Sequence, residues 1–142
     1  MDYTLVRLKH SLAVAQKMKE LSDLYSLDGN EMFLLGLLHD IGYEFSSCQE
    51  EHPEKGGILL KAQGYKYWKE VFYHGKAQNE YDSIELRLLN YVDFITNSDG
   101  IFVSFKERLL DIEDRYGIDS IQTKEATELM SMLLEQGFSD ES

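Results

Sequence analysis

Cysteine and proline are almost absent from this chain. With one cysteine, Cys48, an internal disulfide is excluded, and a reducing compartment is favoured. Cys48 lies in a polar stretch, which is typical of a plain surface thiol. With one proline, Pro53, few glycine clusters and no alternating apolar pattern of useful length, the sequence predicts helices and no strands.

Basic residues and long apolar runs are also scarce. The chain has 14 Lys plus Arg against 26 Asp plus Glu, a formal net charge of −12, which argues against binding to a nucleic-acid polymer. The apolar runs are too short to span a bilayer, and residues 1–4 show no signal-peptide features. We therefore expect a cytoplasmic protein with no membrane partner.

The positive charge that exists is concentrated in one segment. Residues 52–76 contain five lysines and two glutamates. A basic island on an acidic protein would attract a small anionic substrate. On charge alone, an exposed helix face with scattered lysines explains the segment equally well.

Apolar periodicity predicts an all-α, compact bundle of about six to seven helices. At 142 residues we expect a single domain, residues 1–138, and a frayed tail, residues 139–142. The first helix is predicted over about residues 2–25, with an apolar stripe formed by Leu5, Leu8, Leu12 and Ala15. The second, residues 31–41, is apolar almost all round, so it should be central, and Gly42 should end it. Later helices are predicted over residues 53–64, 65–73, 83–96, 103–116 and 123–136.

His39 and Asp40 lie near the C-terminal end of this predicted second helix, which is otherwise almost entirely apolar. An ionised carboxylate buried there costs several kcal/mol unless something compensates it, and a bound cation is one such compensation. Asp93 lies on an apolar stripe with Leu86 and Leu89, and His10 shares the side of the first helix that carries Ala13 and Val14. For each site alone, a satisfied core histidine or a capping aspartate is the more common explanation.

All four histidines fall into one ordered pattern. The segments RLKHSLAVA, LLGLLHDIG and LLNYVDFI give the order H…HD…D, which resembles the HD superfamily of metal-dependent phosphohydrolases. HPEKGGILL and VFYHGK add His52 and His74, and H…HD…H…H…D is similar to the dinuclear branch of that superfamily. The nearest likeness there is the bacterial enzyme that splits diadenosine tetraphosphate symmetrically.

The resemblance implies an HD-type helical fold and a set of ligands. His10, His39, Asp40 and Asp93 would hold a first metal, Asp40 would bridge, and His52 and His74 would hold a second. His39 and Asp40 would be the catalytic pair. Imidazole and carboxylate ligands without thiolates suit one or two divalent ions of Fe, Mn, Co, Ni or Zn. Two such ions could share a hydroxide and clamp a phosphoryl oxygen.

Cations near these positions are candidates for binding substrate phosphate. Arg7 lies one helical turn before His10, so both can face one pocket. Lys55 and Lys76 flank His52 and His74, although a surface ion pair explains each lysine equally well. Many family members carry Lys three residues after the Asp of the HD pair, and Tyr43 stands at that position here.

Three hypotheses follow for the function. The first is hydrolysis of a phosphoester or phosphoanhydride bond by a metal-bound hydroxide, with a small phosphorylated substrate, favoured to be a nucleotide. The second is an HD-fold nucleotide- or metal-binding sensor with little or no turnover. The third is a structural helical bundle that binds another protein. A homodimer is left open.

Overall fold

The computed structural model describes residues 3–44 and 52–139. Within these ranges the regular structure is helical, apart from an isolated antiparallel bridge between Thr96 and Phe102, and this confirms the all-α prediction. Two short 3₁₀ helices span Ser22–Tyr25 and Ile41–Glu44. The seven described α-helices are α1 (Tyr3–Leu21), α2 (Gly29–Leu38), α3 (His52–Ala62), α4 (Trp68–Tyr73), α5 (Ile84–Phe94), α6 (Phe105–Tyr116) and α7 (Ile121–Glu135).

Two sequence expectations fall on other parts of the chain. The polar segment around Cys48 and the tail beyond Ser139 lie outside the described residues. No described helix combines the length and apolar character needed to cross a membrane.

Polar side chains begin four of the described helices. The Asp28 carboxylate accepts a hydrogen bond from the Glu31 backbone N–H at 2.9 Å and caps α2. Ser83 caps α5 in the same way, and Ser104 and Ser120 cap α6 and α7. Because a cap satisfies backbone donors that the first turn leaves free, these residues fix where each helix starts.

The apolar stripe predicted on α1 is wrong for two of its members. Leu8 and Leu12 are 52% and 41% exposed. Ala15, a third member of the predicted stripe, is fully buried, and the other fully buried apolar residues of α1 are Val14 and Met18.

A close helix crossing explains that orientation. A Cβ built on Gly36 of α2 would lie 2.6 Å from the Ala15 Cα, so the two backbones nearly touch. Only glycine permits such an approach. The contact fixes which side of α1 faces α2, and that side also carries His10.

The second helix was predicted to run to residue 41 and to end because of Gly42, and this prediction is wrong. The helix stops at Leu38, with His39 as its C-cap, and Gly42 lies inside the following 3₁₀ helix. A Cβ at Gly42 would come within 1.8 Å of the His52 carbonyl oxygen. The glycine therefore lets the 3₁₀ helix that follows α2 lie directly against the start of α3.

The buried apolar residues form two clusters. The larger one lies between the first five helices and includes Met18, Leu35, Leu60, Val71 and Leu89. The smaller one joins α5 to α6 and α7 through Phe94, Phe105 and Leu133. Because α5 contributes to both clusters, it connects the first four helices to the last two.

Candidate metal centre

The chain brings six ionisable side chains from five helical segments together. They form two groups that share one residue, and within each group the potential ligand atoms lie within 4.8 Å of one another. The first group is His10, His39, Asp40 and Asp93, and the second is Asp40, His52 and His74.

Each of the six side chains lies at a defined position within or beside a helix. His10 lies within α1 and Asp93 in the last turn of α5, whereas His39 and Asp40 directly follow α2. His52 is the first residue of α3, and His74 is the C-cap of α4. Side chains at helix ends project past their helices, so several helices can meet at one point.

Asp40 lies between the two groups, and each of its carboxylate oxygens faces one of them. Oδ2 is 3.2 Å from His39 Nε2 and 3.5 Å from His10 Nε2. Oδ1 is 2.9 Å from His52 Nε2 and 3.6 Å from His74 Nε2. This is the arrangement that a bridging carboxylate requires.

Asp93 is the second carboxylate of the first group. Its Oδ1 lies 2.8 Å from His10 Nε2 and 3.2 Å from His39 Nε2. Ligands that each lie about 2 Å from one ion are separated from each other by about 3–4 Å. The spacing within this group therefore fits a single cation.

Backbone carbonyls orient three of the four histidines. His10 Nδ1 lies 3.0 Å from the Asn97 oxygen, His39 Nδ1 lies 2.6 Å from the Gly36 oxygen, and His74 Nδ1 lies 2.5 Å from the Val71 oxygen. A carbonyl only accepts, so each Nδ1 must carry the hydrogen that it donates. Each Nε2 is thereby directed into the centre, which is how metal-binding histidines are usually held.

One buried atom tests whether these residues suit a metal. His74 Nε2 is fully buried and has no hydrogen-bond partner among the described residues. An unpaired lone pair in a buried position is unfavourable unless a ligand satisfies it. Because Nδ1 of the same ring already donates to Val71, this lone pair suits a cation. The donor set therefore fits a divalent ion.

The acids and histidines of the first group control each other's charge. Burial alone would lower the pKa of His39, but the charges of Asp40 and Asp93 and their hydrogen bonds outweigh it and raise that pKa well above 6.5. Burial alone would raise the pKa of both carboxyl groups, but the charge of His39 and the histidine hydrogen bonds hold these values well below the ordinary range. Without a metal, protons on the histidines thus provide the positive charge that the buried carboxylates need.

Metal uptake should therefore depend on pH. The pKa values of His10 and His39 are both raised, so a cation must displace a proton from each Nε2. We expect affinity to increase with pH between 6 and 8, by up to about tenfold per pH unit for each displaced proton, and to level off above the raised pKa values. The carboxyl groups of Asp40 and Asp93 stay ionised in this pH range, so they do not contribute to the pH dependence of metal affinity.

Calorimetric titration with Mn²⁺ in buffers of different ionisation enthalpy measures the protons released. The variant His39→Ala is the control, because it removes one of the two displaced protons along with one ligand. An affinity that is flat between pH 6 and 8 would contradict the expectation.

The three predicted phosphate-binding cations lie in different surroundings. The Arg7 guanidinium carbon is 5.5 Å from the centre of the Tyr43 ring, which stacks on His52 at 4.1 Å. Lys55 lies exposed on α3, and Lys76 Nζ is 3.9 Å from a Glu125 carboxylate oxygen of α7. The structure thus places Arg7 beside the centre, and the phosphate-binding role of all three cations stays a prediction.

Other lysines of the basic island contact surface groups. Lys66 Nζ lies 3.3 Å from Glu31, and Lys61 and Lys69 lie over the Trp68 ring at 4.8 and 5.7 Å. These contacts favour the alternative of an exposed helix face over an island that attracts substrate.

Sequence reasoning missed two residues that support the centre. The Asn97 carbonyl orients His10, and a backbone oxygen carries no signal in the residue type. Buried Asn90 accepts a hydrogen bond from the Gly75 N–H at 2.8 Å, directly after His74. A signal for Asn90 was present, because it lies three residues before Asp93 on the same helix and is polar among apolar neighbours.

The part of the chain that matches a known protein family includes every residue of the candidate centre. The family model described as HD domain matches residues 7–98, a range that contains all six clustered side chains. It ends before α6 and α7. No curated protein and no solved structure matches the chain. The match confirms the family that the ordered histidines indicated, whereas the dinuclear type stays a prediction.

Proposed function

This chain belongs to the HD-domain family, and we propose that it is a metal-dependent hydrolase that cleaves a phosphoester or phosphoanhydride bond of a small nucleotide. The observation that carries the proposal is the pair of ligand groups that share Asp40. The nucleotide part rests on the likeness to the dinuclear branch of the superfamily.

The ligand set explains why the centre would hold cations. Two carboxylates and four imidazoles meet in a largely buried site, and each of His10, His39 and His74 has its Nδ1 hydrogen committed to a backbone carbonyl. His10, His39, Asp40 and Asp93 would hold one ion, and Asp40, His52 and His74 would hold another. A divalent ion bound there supplies a Lewis acid for a phosphoryl oxygen and a water of lowered pKa.

The protein's own groups provide orientation. Carbonyl contacts hold three of the four histidine rings, and the acids lie in the last turn of α5 and directly after α2, so little reorganisation is needed when substrate binds. Arg7 lies beside Tyr43 at the edge of the centre, where a guanidinium could bind phosphate oxygens in a bidentate manner. Tyr43 is protonated at neutral pH, because burial and then the charges of Asp40 and Asp93 raise its pKa.

Metal analysis combined with turnover tests the proposal. The protein is loaded in turn with Mn, Fe, Co, Ni and Zn and is assayed on bis(4-nitrophenyl) phosphate and on a panel of nucleotides that includes diadenosine tetraphosphate. We expect up to two bound equivalents and hydrolysis of at least one of these compounds, with none by the metal-free protein.

Two outcomes would contradict the proposal. Metal and nucleotide binding without product would favour the sensor hypothesis. A metal content that is negligible and is unchanged in His39→Ala would favour a structural helical bundle.

A further inference from the structure

The second ligand group depends on an imidazole ring that solvent can reach. This group has three members, Asp40, His52 and His74, whereas the first group has four. The His52 side chain is 15% exposed and the His74 side chain is 1% exposed, so His52 is the less enclosed of the two histidines. A ring at the end of a helix and close to solvent keeps one orientation only if neighbouring groups pack against it.

Tyr43 packs against that ring. The two rings stack almost parallel, with an interplanar angle of 14° and a centroid distance of 4.1 Å. Stacking uses the face of the imidazole and leaves its edge available, and Nε2 of His52 lies 2.9 Å from Oδ1 of Asp40. Tyr43 therefore fixes the plane of the imidazole without occupying the nitrogen that would bind a metal.

The backbone around Tyr43 is tied to the same ligand group. The Tyr43 N–H donates to the Asp40 carbonyl oxygen at 3.1 Å, within the short 3₁₀ helix that follows α2. The preceding residue, Gly42, lies so close to the His52 carbonyl oxygen that a side chain would not fit there. The Arg7 guanidinium carbon lies 5.5 Å from the centre of the Tyr43 ring and adds a cation–π contact from α1. Tyr43 is thus connected to Asp40 through its backbone and to His52 through its ring.

We propose that Tyr43 is a positioning residue for the second metal ion, because it holds the His52 ring at the angle at which Nε2 and the bridging Asp40 meet one cation. This inference rests on the two-ion form of the proposed function. Loss of the Tyr43 ring should weaken the second ion and spare the first, since backbone carbonyls orient His10 and His39. A substitution of the side chain also leaves the Tyr43 N–H in place, so the contact with Asp40 is kept.

Metal titration of the full chain tests the proposal. Mn²⁺ is titrated calorimetrically into the metal-free wild type, Tyr43→Leu and Tyr43→Phe, and elemental analysis counts the ions retained after dialysis. We expect two bound equivalents in the wild type. Tyr43→Leu should bind the second ion about 10- to 100-fold more weakly, as is typical when a group that orients a metal-binding histidine is lost, and the first ion within about twofold of wild type. Tyr43→Phe keeps the stacked ring and should bind both ions within about twofold of wild type.

Another aromatic stack of the chain provides a matched control. Phe138 stacks on Tyr91 with an interplanar angle of 11° and a centroid distance of 4.6 Å, where it packs against the smaller apolar cluster. Phe138→Leu removes this stack by the same kind of substitution and should leave the affinities for both ions unchanged. Thermal unfolding of the metal-free variants checks that each is folded, and Tyr43→Met is the test variant if Tyr43→Leu does not fold.

Four results would overturn the proposal. An unchanged affinity for the second ion in Tyr43→Leu would mean that the stack does not orient His52. An equal loss for both ions would indicate a general structural role. A loss in Tyr43→Phe as large as in Tyr43→Leu would assign the effect to the hydroxyl group, and a single bound equivalent in the wild type would leave no second ion to position.

The proposed function is judged by a separate measurement. Hydrolysis of bis(4-nitrophenyl) phosphate by the metal-loaded wild type tests it, whereas the titrations of the Tyr43 variants need no turnover. A wild type that hydrolyses this compound and a Tyr43→Leu variant with unchanged metal binding would retain the proposed function and reject the role of Tyr43.

Discussion

The substitution Asp40→Asn should remove both metal ions and reduce hydrolysis by about a thousandfold. Asp40 is the one residue common to both ligand groups, and its two oxygens face different histidine pairs. An amide keeps the shape of the side chain but loses the charge, and its nitrogen cannot act as a ligand. Losing about 4 kcal/mol of metal stabilisation in the transition state corresponds to that factor.

A second substitution, at the opposite end of α2, controls for nonspecific effects. Asp28→Asn at the start of α2 makes the same chemical change at a capping position, where Asn and Asp are nearly equivalent. The Asp28→Asn variant should keep the metal content and the hydrolysis rate of the wild type. Elemental analysis and turnover of bis(4-nitrophenyl) phosphate measure both properties. If Asp40→Asn retained one full equivalent of metal, Asp40 would not be a bridging ligand.

The candidate centre could be predicted from the sequence because its residue types are rare and ordered. His39 and Asp40 directly follow an apolar helix, Asp93 lies on an apolar helix side, and an ionisable group in such a place needs an explanation. The order of the four histidines indicated which family provides it, and the family match over residues 7–98 agrees. No distance between helices was needed for that step.

The sequence pattern could not predict which side of a helix is buried or where two backbones come into close contact. The spacing of Leu8 and Leu12 fits an apolar stripe, yet both are exposed, because contact between Gly36 and Ala15 decides which side of α1 is buried. Gly42 looked like a helix stop, and its actual role is to let the His52 backbone come near. Both features depend on a second helix, which periodicity within one helix cannot reveal.

The variants His74→Ala and His39→Ala should each lose one metal equivalent but differ in the stability of the metal-free protein. His74 belongs to the second group alone, and His39 to the first. His39 is fully buried, and its positive charge is the largest influence that lowers the pKa of Asp40 and of Asp93 against burial. Removing it leaves two buried carboxylates less compensated, which typically costs about 3–5 kcal/mol. His74→Ala should cost less, because its Nε2 makes no hydrogen bond among the described residues.

Urea denaturation of the metal-free variants at pH 7 measures this difference, and elemental analysis of the loaded variants measures the metal content. The stabilising charge on His39 is present below its unfolded pKa near 6.5 and is lost as pH rises through its raised folded value. The difference in free energy of unfolding between His39→Ala and wild type should therefore become smaller at high pH. The corresponding difference for His74→Ala should change little with pH. Equal destabilisation of the two variants at pH 7 would mean that Asp40 and Asp93 are not compensated mainly by His39. Loss of both equivalents in His74→Ala would mean that the two ligand groups bind their ions as one cooperative unit.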